Sequence, residues 1–138
     1  MTAKEYLLQI KNIHTKIENK KERIARLSAI VSSPGVPELK ADVVQSSPKK
    51  DKTEMMIVEK TRLQDEVERL MYEEAVLIIN IGRQIDRMKN PTYSRLLHLR
   101  YEEHMTFKEI SERIGCKYKR TCNLHGEALN EFERVYLT

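Results

Sequence analysis

A chain of 138 residues that is 33% charged and only 6% aromatic, with no tryptophan, has too little bulky apolar material for a thick globular core. Thin helical packing beneath long charged side chains is the expected solution, and the net charge of +4, from 25 basic and 21 acidic residues, is compatible with nucleic acid without being diagnostic of it. Two cysteines with no second metal-spaced pair exclude a zinc site, and the lack of a signal-like apolar segment, the longest apolar run being Ala75 to Ile79, predicts a soluble cytoplasmic protein with reduced thiols and no membrane partner.

The first expected element is a helix over residues 4–31. Ile10, Ile17, Ile24 and Val31 recur every seven residues, Tyr6, Ile13 and Leu27 hold the other seam position, and Lys20 is its single polar break. The next stretch, "SSPGVPELKADVVQSSPKKDK" from Ser32 to Lys52, contains three prolines and a glycine. Proline removes a backbone donor and restricts its predecessor, so an extended or partly disordered connector is expected here. It is a solvated linker by default, or a phosphate- or partner-binding loop. A second helix is expected over residues 53–88, with Met56, Leu63, Val67, Leu70, Leu77, Ile81, Ile85 and Met88 spaced mainly by three and four. Glu74 interrupts this seam, and the steps of four through Leu77, Ile81 and Ile85 form a stutter.

Neither narrow stripe is stable alone. The two helices must pack on each other, on a second copy of the chain, or on both, and a helical hairpin with some self-association is favoured. Ile10, Ile13, Ile17, Ile24, Leu63, Val67, Leu70 and Leu77 are accordingly the expected oligomerisation residues. Asn90 followed by Pro91 ends the second helix and opens the next, as N-cap and first-turn residue. The expected division is a coiled-coil region over 1–89 and a second domain over 90–138.

That second domain carries "MTFKEISERIGCKYKRTCNLHGEAL", Met105 to Leu129. Thr106 and Glu109 are spaced as a capping box, with Met105 and Ile110 placed as its hydrophobic staple. Gly115 is suited to the left-handed residue that ends a helix, and a further helix is expected from Lys117 to Tyr136. Ile110, Ile114, Cys116, Thr121 and Leu124 fall where a helix-turn-helix buries its interior, and Ser111 falls where two helices cross closely. An ordinary helical hairpin could share the staple and the glycine. Charge favours the DNA-binding reading: Arg113, Lys117, Lys119 and Arg120 crowd the turn, and no acid occurs between Glu112 and Glu127. Tyr118, Lys119, Cys122 and Asn123 share the outward face of the second helix, with Arg120 at its edge. Arg can bond guanine through two donors and Asn can pair with adenine. The candidate DNA-binding residues are Thr106, Arg113, Lys117, Tyr118, Lys119, Arg120, Cys122 and Asn123.

"RLLHLRYEEHMTFKEISERIGCKYKRTCNLHGEALNEFE", Arg95 to Glu133, resembles region four of the bacterial primary sigma factors, which binds an upstream promoter element. The LRY triplet at Leu99 to Tyr101, the MTFKEISERIG stretch and the pair Ala128–Leu129 carry the likeness. Where sigma factors usually present Arg, Glu, Arg, Arg and Gln, this chain has Tyr118, Lys119, Arg120, Cys122 and Asn123. The resemblance implies a kept scaffold and an altered target sequence. Nearly the whole chain also resembles a family of small regulators from prophages of Gram-positive bacteria, related to their late-transcription regulators, through "YLLQI" (Tyr6 to Ile10), "VVQSS" (Val43 to Ser47) and "LHGEAL" (Leu124 to Leu129). That likeness implies an all-α transcription regulator acting in the cytoplasm of a bacterial host. Double-stranded DNA is the implied partner, a homodimer the favoured assembly, and RNA polymerase a further partner implied by region four.

Other chemistry is weakly represented. "EEH" at Glu102 to His104 lies at an expected helix end, where solvated polar residues are the norm. Cys122 is a candidate redox switch only by exposure. No nucleophile triad, phosphate-binding glycine loop or inward pair of carboxylates is present, so neither an enzyme nor a cofactor is expected. The rival readings are a phage DNA-packaging protein of the small terminase kind, which would form rings, and an inhibitor whose helices bind host RNA polymerase.

Overall fold

The computed structural model describes residues 1–32 and 48–138, with residues 48–50 described by backbone alone. Among the described residues the chain is all-α. Its elements are α1 (Ala3–Val31), α2 (Pro48–Asp86), α3 (Pro91–Leu97), a π-helical turn (His98–Glu102), α4 (Phe107–Ile114) and α5 (Tyr118–Tyr136). Residues 33–47 of the expected connector lie outside the described residues. Its last five residues, Pro48 to Lys52, are helical, a correction to the expected start at Thr53. Proline's fixed φ and missing donor are harmless in a first helical turn, so Pro48 can open α2.

The chain divides into two compact units, Met1–His14 with Glu73–Thr138, and Thr15–Tyr72. This is not the expected division after residue 89. The first α1 residues and the last turns of α2 share one core with the three C-terminal helices, and Leu7, Ile10, Ile81, Ile85, Leu96, Leu97, Ile110 and Phe132 are all sealed in it. Short helices with narrow stripes bury too little apolar surface by themselves. The ends of α1 and α2 supply what α3, α4 and α5 lack.

In the unit Thr15–Tyr72, Ile17, Leu63, Val67 and Leu70 are buried between the two helices. Lys20, the polar break of the first seam, meets Glu66 at 2.6 Å. The interruption of the second seam is resolved in the other unit, where Glu74 accepts from or pairs with His14 Nδ1 at 3.1 Å. Each polar gap in the heptads therefore has a cross-helix partner, and each leaves no stranded charge.

In the unit of Met1–His14 and Glu73–Thr138, Tyr6 Oη donates to Gln84 Oε1 at 2.7 Å, tying α1 to α2. The Tyr6 and Phe132 rings lie 5.8 Å apart, tying α1 to α5. α3 starts as its sequence requires. Asn90 is extended, its side chain accepts from the Thr92 N–H, and Pro91 follows in the first turn.

Candidate nucleic-acid interface

The entry to α4 is held from two sides. Thr106 is extended, its hydroxyl accepts from the Glu109 N–H at 3.2 Å, and the Glu109 carboxylate accepts from the Thr106 N–H at 3.2 Å. These bonds to Thr106 hold the Glu109 carboxyl below the usual carboxylate range. Behind the cap, the Arg100 guanidinium donates to the Met105 carbonyl at 3.0 Å and lies 4.1 Å from the centre of the Phe107 ring. Phe107 meets His125 of α5 edge-on at 4.8 Å. Tyr101 Oη lies 2.8 Å from His125 Nε2, and the hydroxyl donates when the neutral imidazole carries its proton on Nδ1. Burial pushes Tyr101 up to about 12 and His125 down to about 4, so both groups are neutral near pH 7.

α4 ends at Gly115, whose φ of 74° and ψ of 29° are left-handed. A Cβ there would meet nothing within 4 Å, so backbone conformation rather than crowding selects glycine. The N–H groups of Gly115 and Cys116 both donate to the Ser111 carbonyl, at 3.0 and 3.1 Å. Ser111 is buried, and its hydroxyl donates to the Lys108 carbonyl at 2.6 Å. After the turn of Gly115 to Lys117, α5 lays Thr121, Leu124, Ala128 and Phe132 along its inner stripe. Thr121 is fully buried, and its hydroxyl is satisfied by the Lys117 carbonyl at 3.1 Å.

The opposite face of α5 is open. Lys117, Tyr118, Lys119, Arg120 and Asn123 are exposed at its N-terminal end, and Arg113 is exposed on the last turn of α4. Cys122 departs from the outward set, being half-buried. It follows Thr121 on the flank of the inner stripe. Thr106 is exposed, and its hydroxyl serves the cap that positions α4. Arg120 makes a loose 3.7 Å approach to Glu127. Glu127 also accepts from Tyr93 Oη at 3.1 Å, which holds it in place.

Sequence reasoning singled out the exposed cations and missed the residues that aim them. Arg100, Tyr101, Phe107, His125 and Glu127 fix the two helices through contacts spanning up to 34 positions in the chain. Only the LRY triplet offered a signal for two of them. His104 was set aside as solvated; instead its backbone has a φ of 57°, its ring stacks on His14 at 4.4 Å, and its Nδ1 is buried without a partner. Burial and the charge of His14 hold His104 below its usual pKa. Among the described residues, no three His, Cys, Asp or Glu side chains gather at metal-binding spacing. No described helix is long and apolar enough to cross a membrane.

The expected oligomerisation residues differ in exposure. Ile10, Ile13, Ile17, Leu63, Val67 and Leu70 are buried within a single chain, while Ile24 and Leu77 are half-buried.

A protein-family model described as "Protein of unknown function (DUF1492)" matches residues 30–133. No curated protein and no solved structure matches the chain.

Proposed function

Since this chain belongs to the DUF1492 family, a family of unknown function, we propose its role from the interface: it is a sequence-specific DNA-binding regulator of transcription encoded by a phage or prophage. In this reading α4 and α5 form a helix-turn-helix like that of sigma region four, and α5 enters the major groove by its N-terminal end. One observation carries the reading. A rigidly capped α4 and a left-handed glycine turn present a second helix whose buried stripe faces inward while Lys117, Lys119, Arg120 and Asn123 face solvent.

The division of labour follows from chemistry. Lys117, Lys119 and Arg113 are suited to phosphates, where a point charge is enough. Arg120 and Asn123 are suited to base edges, as bidentate partners of guanine and adenine. Tyr118, more than half exposed at 58%, is suited to apolar contact or a sugar–phosphate hydrogen bond. The half-buried Cys122 is a weaker contributor. Two copies on one duplex would read half-sites about 34 Å apart and select a dyad-symmetric target. Contact with RNA polymerase belongs to the same proposal, through the likeness to region four.

Gel shifts on a selected target test the assignment. Arg120→Ala and Asn123→Ala should each cost about 1–3 kcal/mol and relax preference at one base position. Lys119→Ala should weaken all duplexes alike and lower the salt dependence. Variants that bind the best site like the parent would refute the placement of α5 in the groove.

A further inference from the structure

Within the unit Thr15–Tyr72, a cleft of about 480 Å³ is lined by Lys16, Asn19, Lys20, Arg23, Glu66 and Arg69. Its volume falls in the range of ligand sites, roughly 300–1,000 Å³, but its walls do not resemble those of a metabolite pocket. Four of those six residues are cations, one is an amide, and none is aromatic; the cleft's apolar lining is Leu70. Such a surface has nothing to stack on a base or to enclose an organic ring. It is matched to oxyanions.

The charge is cancelled only in part, since Lys20 pairs with Glu66 and Arg23 lies near enough to Glu59 to lower its pKa. Lys16, Lys20 and Arg23 recur at steps of four and three, which places them along one face of α1. Glu66 is the single carboxylate in the wall. It already pairs with Lys20 at 2.6 Å and with Arg62 outside the cleft. The Lys20 ammonium, together with Arg62 and Arg69, holds the Glu66 carboxyl below its usual range, so it is ionised and fully engaged. Lys16 and Arg23 are exposed, with no carboxylate within ion-pair distance among the described residues. Arg23 presents a planar fork suited to two phosphate oxygens, and Lys16 a mobile point charge.

We propose that this cleft is a phosphate-binding site that grips the sugar–phosphate backbone of a nucleic acid without reading its bases. That the phosphates belong to a nucleic acid rests on the function proposed above; the preference for phosphate rests on the cleft alone. The helical region is then a second, sequence-blind contact and not a passive spacer.

The test uses the full chain, a long duplex of unselected sequence, and fluorescence anisotropy over a salt series. The paired substitution Lys16→Gln and Arg23→Gln removes two phosphate contacts, so the slope of log affinity against log salt should shrink by about 1.8. Affinity at low salt should fall about tenfold or more, and the target sequence recovered by selection should not change. Circular dichroism melting of the variant checks that the exposed substitutions leave the helices intact, and Lys16→Arg with Arg23→Lys should restore the slope. An unchanged slope in the folded variant overturns the inference. So does a variant that loses binding of inorganic tripolyphosphate while holding the duplex like the parent. If the slope falls while Asn123→Ala leaves sequence preference intact, the cleft stands and the recognition role of α5 falls. The reverse pattern spares α5 and removes the cleft.

Discussion

At the scale of single residues, the interface depends on groups kept in one protonation state. His125 accepts from Tyr101 only while neutral, and burial holds its pKa at about 4 against an ordinary 6.5. The unfolded chain binds this proton more readily than the folded one, so stability rises with pH across that interval. The contribution is complete above about pH 6.5 and is lost progressively as pH falls toward 4. His104, also held low by burial, acts in the same direction. Melting temperature should therefore drop on acidification through this window, and His125→Gln should flatten the drop. An equally steep fall in the variant would show that other groups control it. Tyr101→Phe should cost about 1 kcal/mol at pH 7, because a buried hydrogen bond is lost. Glu127 invites a prediction of the opposite sign. Glu127→Gln still accepts from Tyr93 but releases Arg120 and removes an acid beside the cationic face. Duplex affinity should rise a few-fold, since an exposed pair of this kind is worth at most about 1 kcal/mol.

At the scale of elements, α4 and its turn were the most legible part of the chain. The capping box, the extended Asn90 with Pro91 behind it, and the left-handed Gly115 are local devices, set by residues within four positions of one another. Local rules read them directly. Thr106→Ala should cost about 1 kcal/mol through the lost cap. Gly115→Ala should cost about 1–2 kcal/mol through its left-handed backbone alone, because a methyl group there meets no neighbour. Both are read in urea unfolding, with the midpoint shifting and the slope unchanged. The long helices were legible in their type and in their stripes. Lys20 and Glu74 were visible as breaks, but their partners were not, since Glu66 and His14 lie 46 and 60 positions away in the chain. The start of α2 was misplaced because Pro48 was weighed as a helix breaker and not as a first-turn residue. Ile17→Asp or Leu70→Asp would bury an unpaired charge and should cost about 3 kcal/mol or more. Hydrogen exchange would show it as faster exchange of the Thr15–Tyr72 amides before those of α5.

At the scale of the whole molecule, the composition foretold the class: little aromatic bulk, abundant charge, all-α packing. It did not foretell how the stripes are shared. Heptad periodicity records that a face is buried, not against what, so the α1 and α2 seams were read as packing on each other, on a second copy, or on both. Ile10, Ile81 and Ile85 instead complete the core under α3, α4 and α5. The candidate interface was legible in its exposed cations for the same reason that its supports were not. Charge near a turn is a local property, whereas Arg100 over Phe107 and Tyr101 against His125 exist only once the chain is folded. Mass in solution bears on the assembly: a dimer agrees with a regulator, and a ring of many copies with packaging.

The most direct measurement is selection of bound fragments from a random duplex pool by the full chain, run in parallel with Asn123→Ala. A defined motif for the parent, degraded at one or two positions in the variant, is the predicted result. Recovery of no motif, or of the same motif by both proteins, would contradict the assignment of α5 as the reading helix.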